Sequence, residues 1–156
     1  MIRPATRADA RAIAELEVRA WRWAFGDLVD DGHMPTVAAR EERWTTRPLD
    51  GAHVAELEGR VVGVVQVGPN ADEPGTGRLR GLYVDPAAQG AGVGGRLHDH
   101  ALAALRDAGF AVATLWVFAA NGQAREFYAA RGWAPDGGRA EWAGVSELRY
   151  RRTLLA

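Results

Sequence analysis

The chain contains no cysteine and no lysine. The first absence excludes disulfides, thiolate metal sites and a cysteine nucleophile. The second excludes Schiff-base chemistry, because no side-chain amine exists to form an imine. All 19 positive side chains are therefore arginine, set against 20 carboxylates, and the formal net charge is −1 at pH 7. A near-neutral chain lacks the one-signed field of a nucleic-acid or anionic-membrane binder, so neither partner is expected. No apolar run approaches the ~18 residues of a membrane span. Met1-Ile2-Arg3-Pro4 opens without the apolar region of a signal peptide, and a cytoplasmic location is expected. His98 and His100 are two residues apart, which on a helix points the rings to different sides, so no metal site is expected. The length of 156 residues fits one domain, residues 1–156, with a core of ordinary size.

What is present is glycine, and it is concentrated. Leu82-Tyr83-Val84-Asp85-Pro86 is a β-prone run stopped by proline, followed by Gln89-Gly90-Ala91-Gly92-Val93-Gly94-Gly95 and an amphipathic run to Gly109. The order reads as strand, loop, helix. The first turn of a helix carries N–H groups without partners and the positive end of the macrodipole, and glycines expose that backbone, so the junction is a phosphate site. Gly90 to Gly95 also fits the dinucleotide pattern G-x-G-x-x-G, but that reading needs an acidic residue about 20 residues downstream. Phe110-Ala111-Val112-Ala113-Thr114-Leu115-Trp116-Val117 holds none, and no Gly-Lys-Ser/Thr follows the loop, which disfavours a P-loop as well.

In chain order, Ile2-Arg3-Pro4-Ala5 reads as an edge strand, where Pro4 is tolerable. Thr6 with Asp9 makes a near capping box for a helix over residues 7–24, and Thr36 caps a second over residues 37–46. Two β-rich runs meet near Glu58-Gly59 as a hairpin. After Gly95 the spacing places Leu97, Ala101, Ala104 and Leu105 on the core face of a helix, with His98, Asp99 and His100 elsewhere. Val112 to Val117 reads as a buried strand parallel to the one before Pro86, since a full helix intervenes. Asn121 caps a further helix bearing Ala124, Phe127 and Tyr128, Trp133 begins a return strand, and residues 139–142 and 146–154 form a closing hairpin.

Leu82-Tyr83-Val84-Asp85-Pro86, then Q-x-x-G-x-G at Gln89 to Gly94, then Asn121-Gly122-Gln123-Ala124-Arg125-Glu126-Phe127-Tyr128 and Gly132-Trp133 resemble the GCN5-related N-acetyltransferases (GNAT family). The opening residues 2–6 and Trp21-Arg22 look like bacterial members, and the resemblance covers nearly the whole chain. It implies an α/β chain of the α+β type: a mixed, mostly antiparallel sheet of about six to seven strands with a splayed central parallel pair, flanked by about four helices. It implies acetyl-CoA as co-substrate, with the pantetheine arm against the backbone of Leu82, Tyr83 and Val84. The pyrophosphate would sit on Gly90, Ala91, Gly92, Val93, Gly94 and Gly95 after Gln89, and Asn121 would bond the cofactor. By the same resemblance Tyr128 is the general acid that protonates the departing thiolate, a role open to a phenol that is protonated at neutral pH.

The resemblance carries over no general base. The strand positions where several relatives hold a carboxylate are Arg78, Arg80 and Trp116 here, leaving Glu73, His33, Glu141 or ordered water. The acceptor, a primary amine of a small molecule or peptide, would enter past the first two helices and the final hairpin, where Trp21, Phe25 and Trp142, with Trp23 and Trp44, offer a wall for an apolar amine or a cation. Asp27, Asp30 and Asp31 could attract a positive substrate. A homodimer is plausible by resemblance alone. The alternative to an enzyme is an acyl-CoA-binding sensor or interaction module with the same fold, which would have no need of Tyr128.

Overall fold

The computed structural model describes residues 1–154, so the last two residues of the expected 1–156 domain lie outside the described range. Seven strands form one sheet in the order β1-β2-β3-β4-β5-β7-β6: β1 Ile2–Pro4, β2 Ala52–Leu57, β3 Arg60–Pro69, β4 Gly77–Val84, β5 Val112–Phe118, β6 Ala134–Trp142 and β7 Val145–Thr153. Every neighbouring pair is antiparallel except β4 with β5. The four α-helices are α1 Ala10–Phe25, α2 Val37–Thr46, α3 Val93–Asp107 and α4 Gly122–Ala129. This is the mixed, mostly antiparallel sheet with one central parallel pair and four flanking helices that the resemblance implied.

The helices divide between the two faces of the sheet because strand residues alternate between them. Val65, Leu79, Ala113, Leu115 and Tyr150 pack with Val93, Leu97, Ala101 and Leu105 of α3 and Tyr128 of α4. On the other face Val54 and Val64 meet Ile13 and Leu16 of α1, while Phe118 meets Trp21. Val64 and Val65 thus belong to different cores, which is what a strand covered on both sides requires.

Local signals account for most boundaries. The Thr6 hydroxyl and N–H both donate to Asp9, whose N–H returns a bond to Thr6, but residues 7–9 wind as a tight 3-10 turn before α1 rather than as its first turn. Thr36 caps α2 by accepting from the Ala39 N–H at 3.2 Å. The hairpin at Glu58-Gly59 forms as expected, with both residues at positive φ. Two expectations are corrected. The return strand from Trp133 and residues 139–142 are one continuous strand, β6, because a bulge between Pro135 and Arg139 absorbs the Gly137-Gly138 pair without ending the ladder. His98 does not lie off the core face of α3. It is 1% exposed, since the sheet and α4 cover a wider arc of the helix than the aliphatic residues alone mark out.

Candidate functional site

The organising feature is a place where a ladder stops. β4 and β5 pair only at Gly77↔Ala113 and Arg78↔Thr114, and beyond them they separate. β4 stays bonded to β3 on its other side, where Leu82, Tyr83 and Val84 face Val65, Val64 and Gly63, and β5 stays bonded to β7 along its length. The cause lies in register. A bulge between Gln66 and Val67 gives β4 an extra residue, Arg80, just past its last partner on β5, and a bulge bends the strand that carries it. The backbone of residues 82–84 is consequently left with an unpaired edge toward β5, a strand-shaped opening for an extended ligand.

That opening leads to the N-terminus of α3. Asp85 ends β4 by accepting from the Ala87 N–H at 3.1 Å, and Arg19 of α1 grips the same carboxylate at 2.6 Å, which anchors the loop. Gly90 and Gly92 then adopt φ of +85° and +77°, conformations that L side chains rarely take. Gly92 is the residue before α3 and offers no side-chain cap, and among the described residues no acceptor receives the N–H of Val93, Gly94 or Gly95. Three donors at the positive end of a helix of 15 residues are thus available to an anion. Ala91 departs from the expected set, because its N–H is directed to the Ala88 carbonyl at 3.4 Å.

A cavity of about 360 Å³ joins these parts. Its lining includes Leu82, Tyr83, Val84, Gln89, Gly90, Gly92, Val93, Gly94, Gly95, Asn121 and Tyr128, so eleven of the twelve residues expected to hold the cofactor converge there and Ala91 does not. Phe25 and Trp23 of α1 close one side, Phe127 and Arg131 another. Arg131 was not legible in the motifs. Its guanidinium lies 3.7 Å over the Phe127 ring and bonds the Phe127 carbonyl, which parks a positive charge beside Gly95. Asn121 lines the cavity and uses its side-chain oxygen to cap α4 through the Ala124 N–H at 3.2 Å.

Tyr128 sits at the inner end, 9% exposed, with burial pushing the phenol well above its ordinary range so that it stays protonated. Its ring is held edge-on by Phe127 and Trp133, at centroid distances of 5.2 and 6.0 Å. Behind them His98 accepts from the Trp133 indole N–H through Nε2 at 2.9 Å. That bond places the ring proton on Nδ1, which meets the Asp99 carboxylate at 3.2 Å. Burial lowers the affinity of His98 for a second proton and outweighs the opposite pull of Asp99.

The other face of the split bears the remaining candidates. Trp21 is buried in an aromatic cluster with Phe25, Phe118 and Trp142, at 4.7, 5.9 and 5.4 Å, so it is core rather than open wall; Phe25 carries this cluster to the cavity, and Trp142 is 39% exposed. His33 lies against Trp142 at 6.1 Å. Glu73 is gripped by both ends of the Arg151 guanidinium, at 2.7 and 2.9 Å, and by the Thr76 hydroxyl, which together hold its carboxyl down to about 2. Such an acid is a weak base at neutral pH. Glu141 is exposed and pairs with Ser146, on the face of β6 opposite to Trp142. A carboxyl not singled out from the sequence, Glu147, pairs with Phe118 and shares its face; burial pushes it up and nearby Arg78 opposes the shift.

One cavity thus joins a parallel pair that separates after two residue pairs, a bare helix N-terminus and a buried phenol. A family model described as "Acetyltransferase (GNAT) family" matches residues 11–133. The chain belongs to that family. It is 36% identical over 90 residues to an uncharacterized N-acetyltransferase of Archaeoglobus fulgidus, a match that covers 55% of this chain and spans 61% of that relative's length. Over 152 residues, 93% of this chain and 86% of the relative, it is 27% identical to a protein of Mycobacterium tuberculosis named as a probable N-acetyltransferase. The fold superimposes on the PaiA N-acetyltransferase from Thermoplasma acidophilum in complex with coenzyme A, with a TM-score of 0.81 at 15% identity and 98% coverage of both chains.

Proposed function

We propose that this chain transfers an acetyl group from acetyl-CoA to a primary amine by direct attack on the thioester, with Tyr128 as the proton donor to the departing sulfur. The observation that carries the reading is the convergence in one cavity of the unpaired edge of residues 82–84, the three free N–H groups of α3 and the buried Tyr128 phenol. In this reading Val93, Gly94 and Gly95, with Arg131, hold the pyrophosphate, and the edge of β4 holds the pantetheine amides. The uncharged amine forms the new N–C bond as the C–S bond breaks. A main-chain N–H of residues 82–84 faces the oxygen on which charge develops, the sulfur leaves with the electron pair and takes the Tyr128 proton, and the amine surrenders one proton to solvent or to a carboxylate. Enclosure of the phenol keeps it in the donor form throughout the neutral range.

The test separates binding from turnover. Free thiol release from acetyl-CoA is followed against a panel of amines, with coenzyme A affinity measured in parallel. Tyr128→Phe is expected to slow turnover about 10²-fold, the lower range of general-acid contributions, while coenzyme A affinity stays within about twofold. Unchanged turnover at saturating substrates would remove Tyr128 from the mechanism. Binding of coenzyme A without turnover on any amine would move the protein to the non-catalytic acyl-CoA-binding reading.

A further inference from the structure

A second cavity of about 800 Å³ lies along the β3–β4 pair, lined by α2 and the turn after it at one end and by Ala104, Leu105, Ala108 and Phe110 at the C-terminal end of α3 at the other. Its lining is unlike that of the cofactor cleft. Arg40 and Arg43 reach it from α2, Arg47 from the turn that follows, and Arg78 and Arg80 from β4. Two carboxylates, Glu17 and Asp50, are the acidic residues in the same lining. Glu17 is already engaged, by Arg40 at 3.5 Å and by the Trp44 indole N–H at 2.5 Å. Among the described residues Arg43, Arg47, Arg78 and Arg80 form no ion pair. Arg78 in addition buries its Nε hydrogen without an acceptor.

Four unpaired guanidiniums around one hollow, in a chain whose net charge is −1, are a local field and not a consequence of overall charge. Buried donors are ordinarily satisfied, and an arginine fork matches a carboxylate or phosphate with two parallel bonds. The hollow adjoins the cofactor cleft. Tyr83 lines both cavities: its backbone belongs to the split edge, and its ring lies 3.1 Å from where a side chain at Gly81 would begin, on the arginine side. Tyr83 therefore stands between a molecule seated among the arginines and the split edge.

We propose that this arginine-lined cavity is the acceptor subsite, and that the acceptor is an amine that also carries a carboxylate or phosphate group, bound there by Arg78 with Arg43 and Arg80. The proposal rests on the acetyltransferase reading above and names the substrate class for it. It replaces the apolar or cationic acceptor that the tryptophans and Asp27, Asp30 and Asp31 first indicated; those three acids are exposed and outside the lining of this cavity.

The experiment uses matched amines that differ only in the anionic group: an α-amino acid against its carboxamide, and an aminoalkyl phosphate against the corresponding amino alcohol. Thiol release gives kcat/KM for each, and coenzyme A affinity and a melting curve report folding. At least one anionic member is expected to exceed its neutral counterpart by about tenfold or more, the scale of one charge-assisted bond. The pair that shows the difference distinguishes carboxylate from phosphate. Arg78→Gln and, separately, Arg43→Gln are expected to cut that preference about tenfold, chiefly through KM, with coenzyme A affinity unchanged. Equal or better use of the neutral amines, with no effect of either substitution on the ratio, overturns the anionic subsite and leaves the acetyltransferase reading standing. Coenzyme A binding with no thiol release from any amine overturns both.

Discussion

Burial keeps Tyr128 protonated, and His98 lies behind the Trp133 ring that packs against it. A neutral imidazole must stand behind Trp133 to accept its N–H, and burial keeps it neutral. In the unfolded chain the same ring binds a proton below about pH 6.5. The unfolded state therefore takes up more protons than the folded one as pH falls through that value, so the stability contributed by a neutral His98 is complete above about 6.5 and drains as pH drops toward its lowered folded value. His98→Gln keeps an acceptor for Trp133 but does not titrate. Melting temperatures measured between pH 5 and 7 are expected to fall less steeply for this variant than for the parent. Some slope remains, because His53, held down by burial and by His100, follows the same rule. Identical slopes in the two proteins would show that His98 titrates as an exposed ring.

At the scale of elements, the cleft is the product of two interruptions. The bulge at Arg80 turns β4 from β5, and the left-handed residues Gly90 and Gly92 turn the chain so that α3 begins with its N–H groups bare. Gly92→Ala tests the second. A Cβ there meets no atom within 4 Å, so its cost is conformational, about 1–2 kcal/mol for an alanine in the left-handed region. Gly137→Ala in β6 is the matched control, with φ of +92° and open space around it, and it does not line the cofactor cavity. Both variants are expected to lose similar stability by denaturant unfolding. Coenzyme A affinity should fall for Gly92→Ala and hold for Gly137→Ala. Equal affinities would mean that the loop conformation is not what presents the α3 amides.

Across the whole molecule, the edge strand β1 is tied to the body by charge. Arg3 donates to both oxygens of Asp9 at 2.8 Å and to Glu56 of β2 at 2.7 Å, and Asp9 also accepts the Thr6 N–H. Asp9 is 7% exposed, and Arg3 holds its carboxyl below the ordinary range. Asp9→Ala removes the acceptor and leaves the guanidinium short of partners, a loss of about 2–3 kcal/mol. For a chain of this size that corresponds to a melting temperature lower by roughly 4–12 °C. A drop under one degree would show that the network is solvated and contributes nothing. Because Asp9 has a lowered folded pKa, its contribution is intact above about pH 4 and disappears below it, later in an acid titration than that of His98.

The strand, loop and helix around Gly90, the caps at Thr36 and Asn121 and the parallel β4–β5 pair were legible in the residues, because glycine conformation, capping and hydrophobic period are local properties. The absence of cysteine and lysine likewise bounded the chemistry before any contact was known. Other features needed the fold. His98 reads as a surface residue until α4 and Trp133 close over it, and Arg131 reads as a helix-end cation until Phe127 turns it toward Gly95. Arg40, Arg43, Arg78 and Arg80 are scattered along the chain, and only the packing of α2 over β4 brings them around one cavity. Sequence alone determined where the backbone N–H groups of α3 lie open, since that depends on neighbours in the chain. Tertiary structure decided the charge of the second cavity, since that depends on neighbours in space.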